Sequence, residues 1–451
     1  MLTRDIALDE AILDLLDNCV DGILRTDAAE AIRPYDGYRA AITFDADSFA
    51  IEDNCGGIPP TLLDYAFRLG RAPDYPEDEK PRGAVGVYGI GMKRAIFKMG
   101  ESCVISTQHE NASYEVSISR EWLHDEDDWN IPFLNTERSK HEDGTKIMVT
   151  NLYDGITAAF GNQREALESE LAEMVSTHYS FIIDKGFSVT INGAPISSRS
   201  RGFVYTPNTA SNARVIRPFT YETTTDDGVD VFMAVGFDRA IPSEDDVSSE
   251  QEETSRSSEN AGWTVVCNDR AVLFCDRSEL TGWGETGVPR FHNQFIAVSG
   301  MVEFRCEDPA KLPTTTTKRG VDASSLLYLQ TKNKMREGMA LFTAYTNRWK
   351  SRPTEVREQF ASGETATFSD LKEGIMGVST SPSTIPFRNA QQYKPNLPAP
   401  QREDPQTRRI SFTKNAEDVR IVAEYLSGDS ERNPSDVGQE CFDLVLQEAN
   451  S

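Results

Sequence analysis

The stretch at residues 5–24, DIALDEAILDLLDNCVDGIL, constrains this chain more than any other. Ile6, Leu8, Ile12, Leu13, Leu15, Leu16, Val20 and Ile23 recur at spacings of three and four, which predicts a largely buried amphipathic helix. Asp14, Asn18, Asp21 and Gly22 then fall on one face. Carboxylates and an amide on that face supply oxygen ligands of the kind a hydrated Mg²⁺ takes, and groups able to orient a water. An ordinary core helix with a polar seam would carry the same letters. The helix alone does not decide between these readings.

Three later segments bear on the choice. Ile51-Glu52-Asp53-Asn54-Cys55-Gly56-Gly57-Ile58 ends a strand-like run on two glycines. Gly86-Val87-Tyr88-Gly89-Ile90-Gly91-Met92-Lys93 precedes a helix-like Arg94-Ala95-Ile96-Phe97-Lys98-Met99. Gly144-Thr145 heads the strand-like Lys146-Ile147-Met148-Val149-Thr150. In this order the helix and the three segments resemble the four nucleotide-binding boxes of the GHKL ATPases. That superfamily has the Bergerat fold and includes type II topoisomerases, MutL proteins, the large heat-shock chaperones, microrchidia ATPases and histidine kinases. The first box is most similar to microrchidia/MutL-like and bacterial histidine-kinase-like relatives.

The resemblance implies an α+β fold: a Bergerat-type ATP-binding sandwich, a transducer-like α/β domain and a short helical C-terminal tail. The expected divisions are 1–184 for the ATP-binding domain, 185–350 for the transducer, 351–408 for an extended linker and 409–451 for the C-terminal helices. The linker rests on composition, since 377–408 is rich in Pro, Ser, Gln and Asn. Helices are expected at 61–69, 165–176, 324–349, 416–426 and 434–447, and a hairpin at Val189-Thr190-Ile191-Asn192-Gly193. The Pro- and charge-rich run from 70 reads as a mobile loop, which the resemblance implies is the ATP lid, and 124–129 and 243–260 read as acidic surface loops.

The resemblance also implies roles for named residues. Asn18 holds Mg²⁺, and Asp14, four residues earlier, stands where the family places its general base. That base is usually glutamate; aspartate is one methylene shorter, which implies slow turnover. Asp17 is turned about 100° away around the helix and is the lesser candidate, while Asp21 orients its neighbours. Asp53 takes the position that accepts a hydrogen bond from the adenine amine, with Gly57 letting the base approach the backbone and Thr145 assisting. Cys55 stands where the family usually has its first glycine. Gly86, Gly89 and Gly91, with Met92 and Lys93, form the phosphate-facing turn; Met92 separates Gly91 from Lys93, so this is not a Walker A loop. Lys318, with Arg319 second, matches the transducer lysine that reaches the γ-phosphate.

Charge and composition narrow the partners. A net charge of −26 argues against an extensive basic surface, so nucleic acid is not favoured, although a local patch remains open. Seven scattered cysteines without a C-x-x-C fit reduced thiols. With no run of membrane-spanning length and no signal-peptide pattern, the expected location is the cytoplasm. The leading expectation is an ATP- and Mg²⁺-dependent conformational or dimerisation switch with slow hydrolysis, acting on an unidentified protein partner. A nucleic-acid clamp is the alternative, and a histidine-kinase-like phosphotransferase ranks lower, since no histidine lies in a two-helix setting upstream of the site.

Overall fold

The computed structural model describes residues 6–67, 83–84, 91–124, 133–138, 142–199, 201–207, 209–210, 213–242, 260–315, 318–383, 386–387, 389–400 and 410–450. Gly86 and Gly89, most of the expected loop from 70, and most of the two acidic runs lie outside these residues. The chain forms two compact units, Met1–Pro400 and Gln401–Ser451.

The first unit begins with α1 (Leu8–Ile23) and continues into β1 (Arg39–Phe44) and β2 (Ser48–Asp53). After α2 (Leu63–Phe67) and α3 (Gly91–Met99) come β3 (Gly100–His109), β4 (Ala112–Ile118), α4 (Arg120–His124), β5 (Phe133–Asn135) and β6 (Gly144–Leu152). Helices α5 (Asp154–Phe160), α6 (Arg164–His178) and α7 (Ser180–Asp184) precede the short strands β7 (Ser188–Ile191) and β8 (Ala194–Pro195). The strands form one sheet in the order β5-β4-β3-β6-β2-β1-β7-β8. β1 and β7 run parallel, and the other neighbours are antiparallel.

Alternation explains why this sheet is a half-buried layer. Ala40, Ile42 and Phe44 of β1 and Phe49 and Ile51 of β2 are buried, while Arg39, Thr43 and Glu52 between them are exposed. The inward residues share one core with Leu13, Leu16 and Val20 of α1, Ile96 and Met99 of α3, and Leu171 and Val175 of α6. Each such aliphatic side chain contributes roughly 1.5–3 kcal/mol by leaving water. The apolar spacing of α1 therefore fixes that helix against the sheet.

A second sheet follows, built from β10 (Phe219–Thr224), β11 (Asp230–Phe237), β12 (Gly262–Cys267), β13 (Arg270–Asp276) and β14 (Val298–Arg305). Its order is β13-β12-β14-β11-β10-β17-β16, with β16 (Ser381–Ser383) and β17 (Ala390–Tyr393) supplied from late in the chain. The long helix α8 (Leu326–Trp349) covers this sheet through Met335, Met339, Phe342 and Tyr345, all in the same core as Val235 and Phe237. The Phe237 and Phe342 rings meet edge to face at 5.1 Å.

Two expectations are corrected. The segment expected to be an extended linker, 351–408, carries α9 (Pro353–Phe360), β15 (Glu364–Thr367), α10 (Phe368–Lys372), β16 and β17. β17 pairs with β10, and β15 pairs with β9 (Gly202–Tyr205). Its polar composition hid the few residues that anchor it: Ala366, Phe368, Leu371, Met376 and Tyr393 bury together with Phe203 and Tyr205. The hairpin at 189–193, expected to open the second region at 185, belongs to the first sheet. Val189 and Ile191 point into the first core, and Ser188–Ile191 pairs with Arg39–Ile42.

In the second unit, α11 (Ala416–Ser427) and α12 (Pro434–Ala449) match the two expected helices. Asn415 and Asn433 cap them, their side chains accepting from the amides of Glu417 and Ser435.

Candidate functional site

Strand β2 ends on Asp53, which sits among groups that donate to it. The amides of Cys55, at 2.8 Å, and Thr145, at 3.3 Å, share Oδ1. The Cys19 thiol, one residue past Asn18 on α1, donates to Oδ2 at 3.3 Å. Burial raises the Asp53 pKa, and the Cys55 amide and Cys19 thiol work against that rise. Thr145 Oγ1 lies 3.1 Å from Thr107 Oγ1, which also accepts from the Ile58 amide at 2.8 Å. The turn after Asp53 thus closes onto β3 and β6.

Gly57 has φ +67°, and a Cβ there would collide with the Gln108 carbonyl oxygen. Sequence reasoning explained this glycine by the approach of a base; the approach of β3 already requires it. Cys55, in the usual glycine's place, is buried, so its thiol is absorbed by the protein interior.

Next to Cys19 on α1, Asn18 is exposed and its side chain makes no hydrogen bond among the described residues. Asp14, one turn earlier, is partly buried. Gly91, the first residue of α3, lies so near that an added Cβ would stand 3.2 Å from the Asp14 carboxylate. Side-chain absence at 91 is what lets the N-terminus of α3 approach α1. Met92 packs on the core, and Lys93 is buried, its pKa pushed down to about 8 by desolvation. Arg94 is a cation that sequence reasoning missed. Its charge acts on Asp14, and its buried Nε has no hydrogen-bond partner among the described residues.

Asp17 is the most enclosed acid of the site. Its side chain is fully buried, and Oδ1 accepts from Tyr179 Oη at 2.5 Å and Arg270 Nε at 2.6 Å. Oδ2 accepts from Lys318 Nζ at 2.6 Å, and the same ammonium lies 3.6 Å from Asp14 Oδ1. Burial pushes the Asp17 pKa upward, but Arg270 and Lys318 outweigh it and the carboxylate stays below its usual range. For Asp14 burial wins: its pKa is raised, with Asp17 adding to the rise and Lys318 and Arg94 opposing it. Burial likewise disfavours the Lys318 cation, yet Asp17 and Asp14 more than compensate and its pKa is raised. The sequence did not reveal Asp17 as the meeting point of the two regions.

The loop that presents Lys318 is tightly tied. Thr314 bridges Val321, the Thr315 amide donates to Gly320 O at 3.1 Å, and the Lys318 amide donates to Thr315 O at 2.9 Å. Lys318 itself adopts φ +58°, a left-handed conformation that costs a non-glycine residue about 1–2 kcal/mol. Arg319 turns to the start of α1, with Nη1 at 3.1 Å from Asp9 and 3.2 Å from Glu10. The candidate lysine and its neighbour therefore both land on the helix that carries Asp14 and Asn18.

These residues can be tested against the expected Mg²⁺. Among the described residues no group of three or more His, Cys, Asp and Glu forms a protein-only metal cage. Mg²⁺ at nucleotide sites keeps several waters and takes one or two protein ligands, the phosphates supplying others. An exposed amide oxygen on Asn18 fits that requirement.

Residues 6–151 match the family model described as histidine kinase-, DNA gyrase B-, and HSP90-like ATPase. No curated protein matches the chain. No helix among the described residues is long and apolar enough to cross a membrane.

Proposed function

From the premise that residues 6–151 form a GHKL-type ATPase domain, an ATP-binding fold, we propose that this protein is a Mg²⁺-dependent, slowly hydrolysing ATP switch. The observation that carries the reading is the position of Lys318. It comes from outside the matched segment, yet its ammonium reaches Asp17 at 2.6 Å and Asp14 at 3.6 Å.

In this reading Asp53 accepts the adenine amine through the remaining capacity of its carboxylate, a charge-assisted hydrogen bond that selects adenine over guanine. Thr145 supports that edge, Gly57 lets the turn close, and Gly91 at the start of α3 stands beside Asp14 at the phosphate end. Asn18 would hold Mg²⁺, which would supply positive charge to offset the negative charge that develops in phosphoryl transfer. Asp14 takes a proton from the attacking water. Its raised pKa suits a base working nearer neutrality, and its short side chain keeps turnover slow. Lys318 leaves Asp17 for the terminal phosphate, and that move carries nucleotide state into the second region or into a nucleotide-dependent homodimer.

The test is Lys318→Ala in the full chain, titrated with a non-hydrolysable ATP analogue and Mg²⁺. Binding should persist, while the nucleotide-dependent change in sedimentation or protease sensitivity seen in the parent disappears. A variant that still changes shape as the parent does would remove Lys318 from the mechanism.

A further inference from the structure

The turn between β12 and β13 enters the ATPase half at three consecutive residues. Asn268 and Asp269 have φ +47° and +68°, as a two-residue hairpin turn with positive φ at both central positions requires. Asn268 Nδ2 donates to Cys306 O at 3.0 Å and to Ala84 O at 3.4 Å, and the neighbouring Gly83 amide donates to Glu307 O at 3.0 Å. Asp269 accepts from Tyr35 Oη at 3.0 Å and Lys185 Nζ at 2.6 Å, and it pairs with Arg305 at 2.5 Å. Arg270 then takes Asp17 Oδ1.

Arg270 is as enclosed as its partner, with its side chain only 3% exposed. The guanidinium lies 5.0 Å from the centre of the Tyr179 ring, and its Nη1 is buried without a hydrogen-bond partner. A buried guanidinium with a donor that finds no partner among the described residues is poorly explained as a stabilising staple, since hydrophobic replacement of such pairs is often neutral or favourable. Its geometry is better suited to orientation. By holding Oδ1 together with Tyr179, Arg270 aims Oδ2 at Lys318.

We propose that Arg270 is a positioning residue for the ATPase reaction: through Asp17 it fixes the resting place of Lys318 beside Asp14, and the hairpin tip ties that placement to the segment at Gly83 and Ala84. The inference rests on the ATP-switch reading above. With Arg270 present, Asp17 divides its charge between two cations and holds Lys318 weakly enough to release it. Without Arg270, Oδ1 keeps only Tyr179, and more of the carboxylate's charge is available to retain the ammonium. Nucleotide binding, which uses Asn18 and Asp53, is left in place.

The experiment measures Mg-ATP turnover, KM and melting temperature for the full-length protein. It compares Arg270→Met, Arg270→Lys and the neutral pair Asp17→Asn with Arg270→Met. Turnover in Arg270→Met should fall roughly ten- to hundred-fold, the scale of an ångström-sized misplacement, with KM within about three-fold of the parent. Arg270→Lys should lie between the two, because it restores charge but not the planar fork. The neutral pair should regain melting temperature without regaining turnover. Parental turnover in Arg270→Met, or turnover returning with melting temperature in the neutral pair, overturns the proposal. Should Arg270→Met not fold, the neutral pair decides alone. A parent protein that neither binds nor hydrolyses Mg-ATP overturns the ATP-switch reading itself, a result distinct from either.

Discussion

The base end and the phosphate end of the site are held in different ways. Around Asp53, the donors are Cys19, Cys55 and Thr145, all within the segment that matches the ATPase family. Around Asp17, two of the donors, Arg270 and Lys318, lie 253 and 301 residues further along the chain. The base end is complete within the first sheet and its helices. Asp17 gains both of its cations from the second region. Under the proposed reading, recognition of a nucleotide is local, while its consequence depends on a remote part of the fold.

That contrast can be broken at either end. The largest effect is expected for Asp14→Asn at the phosphate end: phosphate release should fall by about 10²–10⁴, the usual contribution of a general base, with analogue binding retained. Calorimetry and a release assay on the same sample check this, and undiminished release would reassign the base.

The next effect is on stability. Asp17→Leu removes the acid that Arg270 and Lys318 share, leaving two cations without their common partner, and should cost about 3–5 kcal/mol. A denaturant titration monitored in both regions would show it. A loss below about 1 kcal/mol, the range of exposed pairs, would mean that the network is solvated in solution.

At the base end the expected cost is smaller and specific. Asp53→Asn replaces one acceptor oxygen by a donor, so adenine should bind about 1.5–3 kcal/mol more weakly, with guanine far less affected. Competition between ATP and GTP analogues measures the ratio; equal weakening of both would remove Asp53 from base recognition.

A final effect reports on the seam through pH. His178 Nδ1 meets the Ala271 carbonyl at 2.6 Å, and burial together with Arg270 pushes its pKa down to about 4. An unfolded histidine titrates near 6.5, so between those values the unfolded chain binds the extra proton. Stability from this group is therefore complete above about pH 6.5 and is lost as pH falls towards 4, with a slope of up to about 1.4 kcal/mol per pH unit. His178→Gln should flatten that part of the profile relative to the parent. Identical profiles would show that His178 is hydrated in solution.

What the sequence disclosed follows the same division. The helix at 8–23, the strand ending at Asp53 and the strand headed by Gly144-Thr145 were legible because local periodicity and neighbouring residues determine them. Lys318 was found only through the resemblance, and nothing local pointed to Asp17 as its resting partner. Arg270 follows the two-residue hairpin tip and carries no mark of its destination, because an ion pair across 253 residues leaves no spacing to read. The 353–393 segment was misjudged for a related reason: a few apolar residues in a polar background bury only against strands supplied from elsewhere.

The central claim is that a magnesium-bearing adenine nucleotide lies between α1 and the start of α3. Calorimetric titration of the full chain with a non-hydrolysable ATP analogue, with and without Mg²⁺ and with Asn18→Ala alongside, tests it most directly. The account predicts saturable, Mg²⁺-dependent binding in the parent, with about 2.7 kcal/mol of added stability at a hundred-fold excess over Kd, and loss of the Mg²⁺ dependence in Asn18→Ala. Absence of both heat and thermal protection in the parent would contradict it.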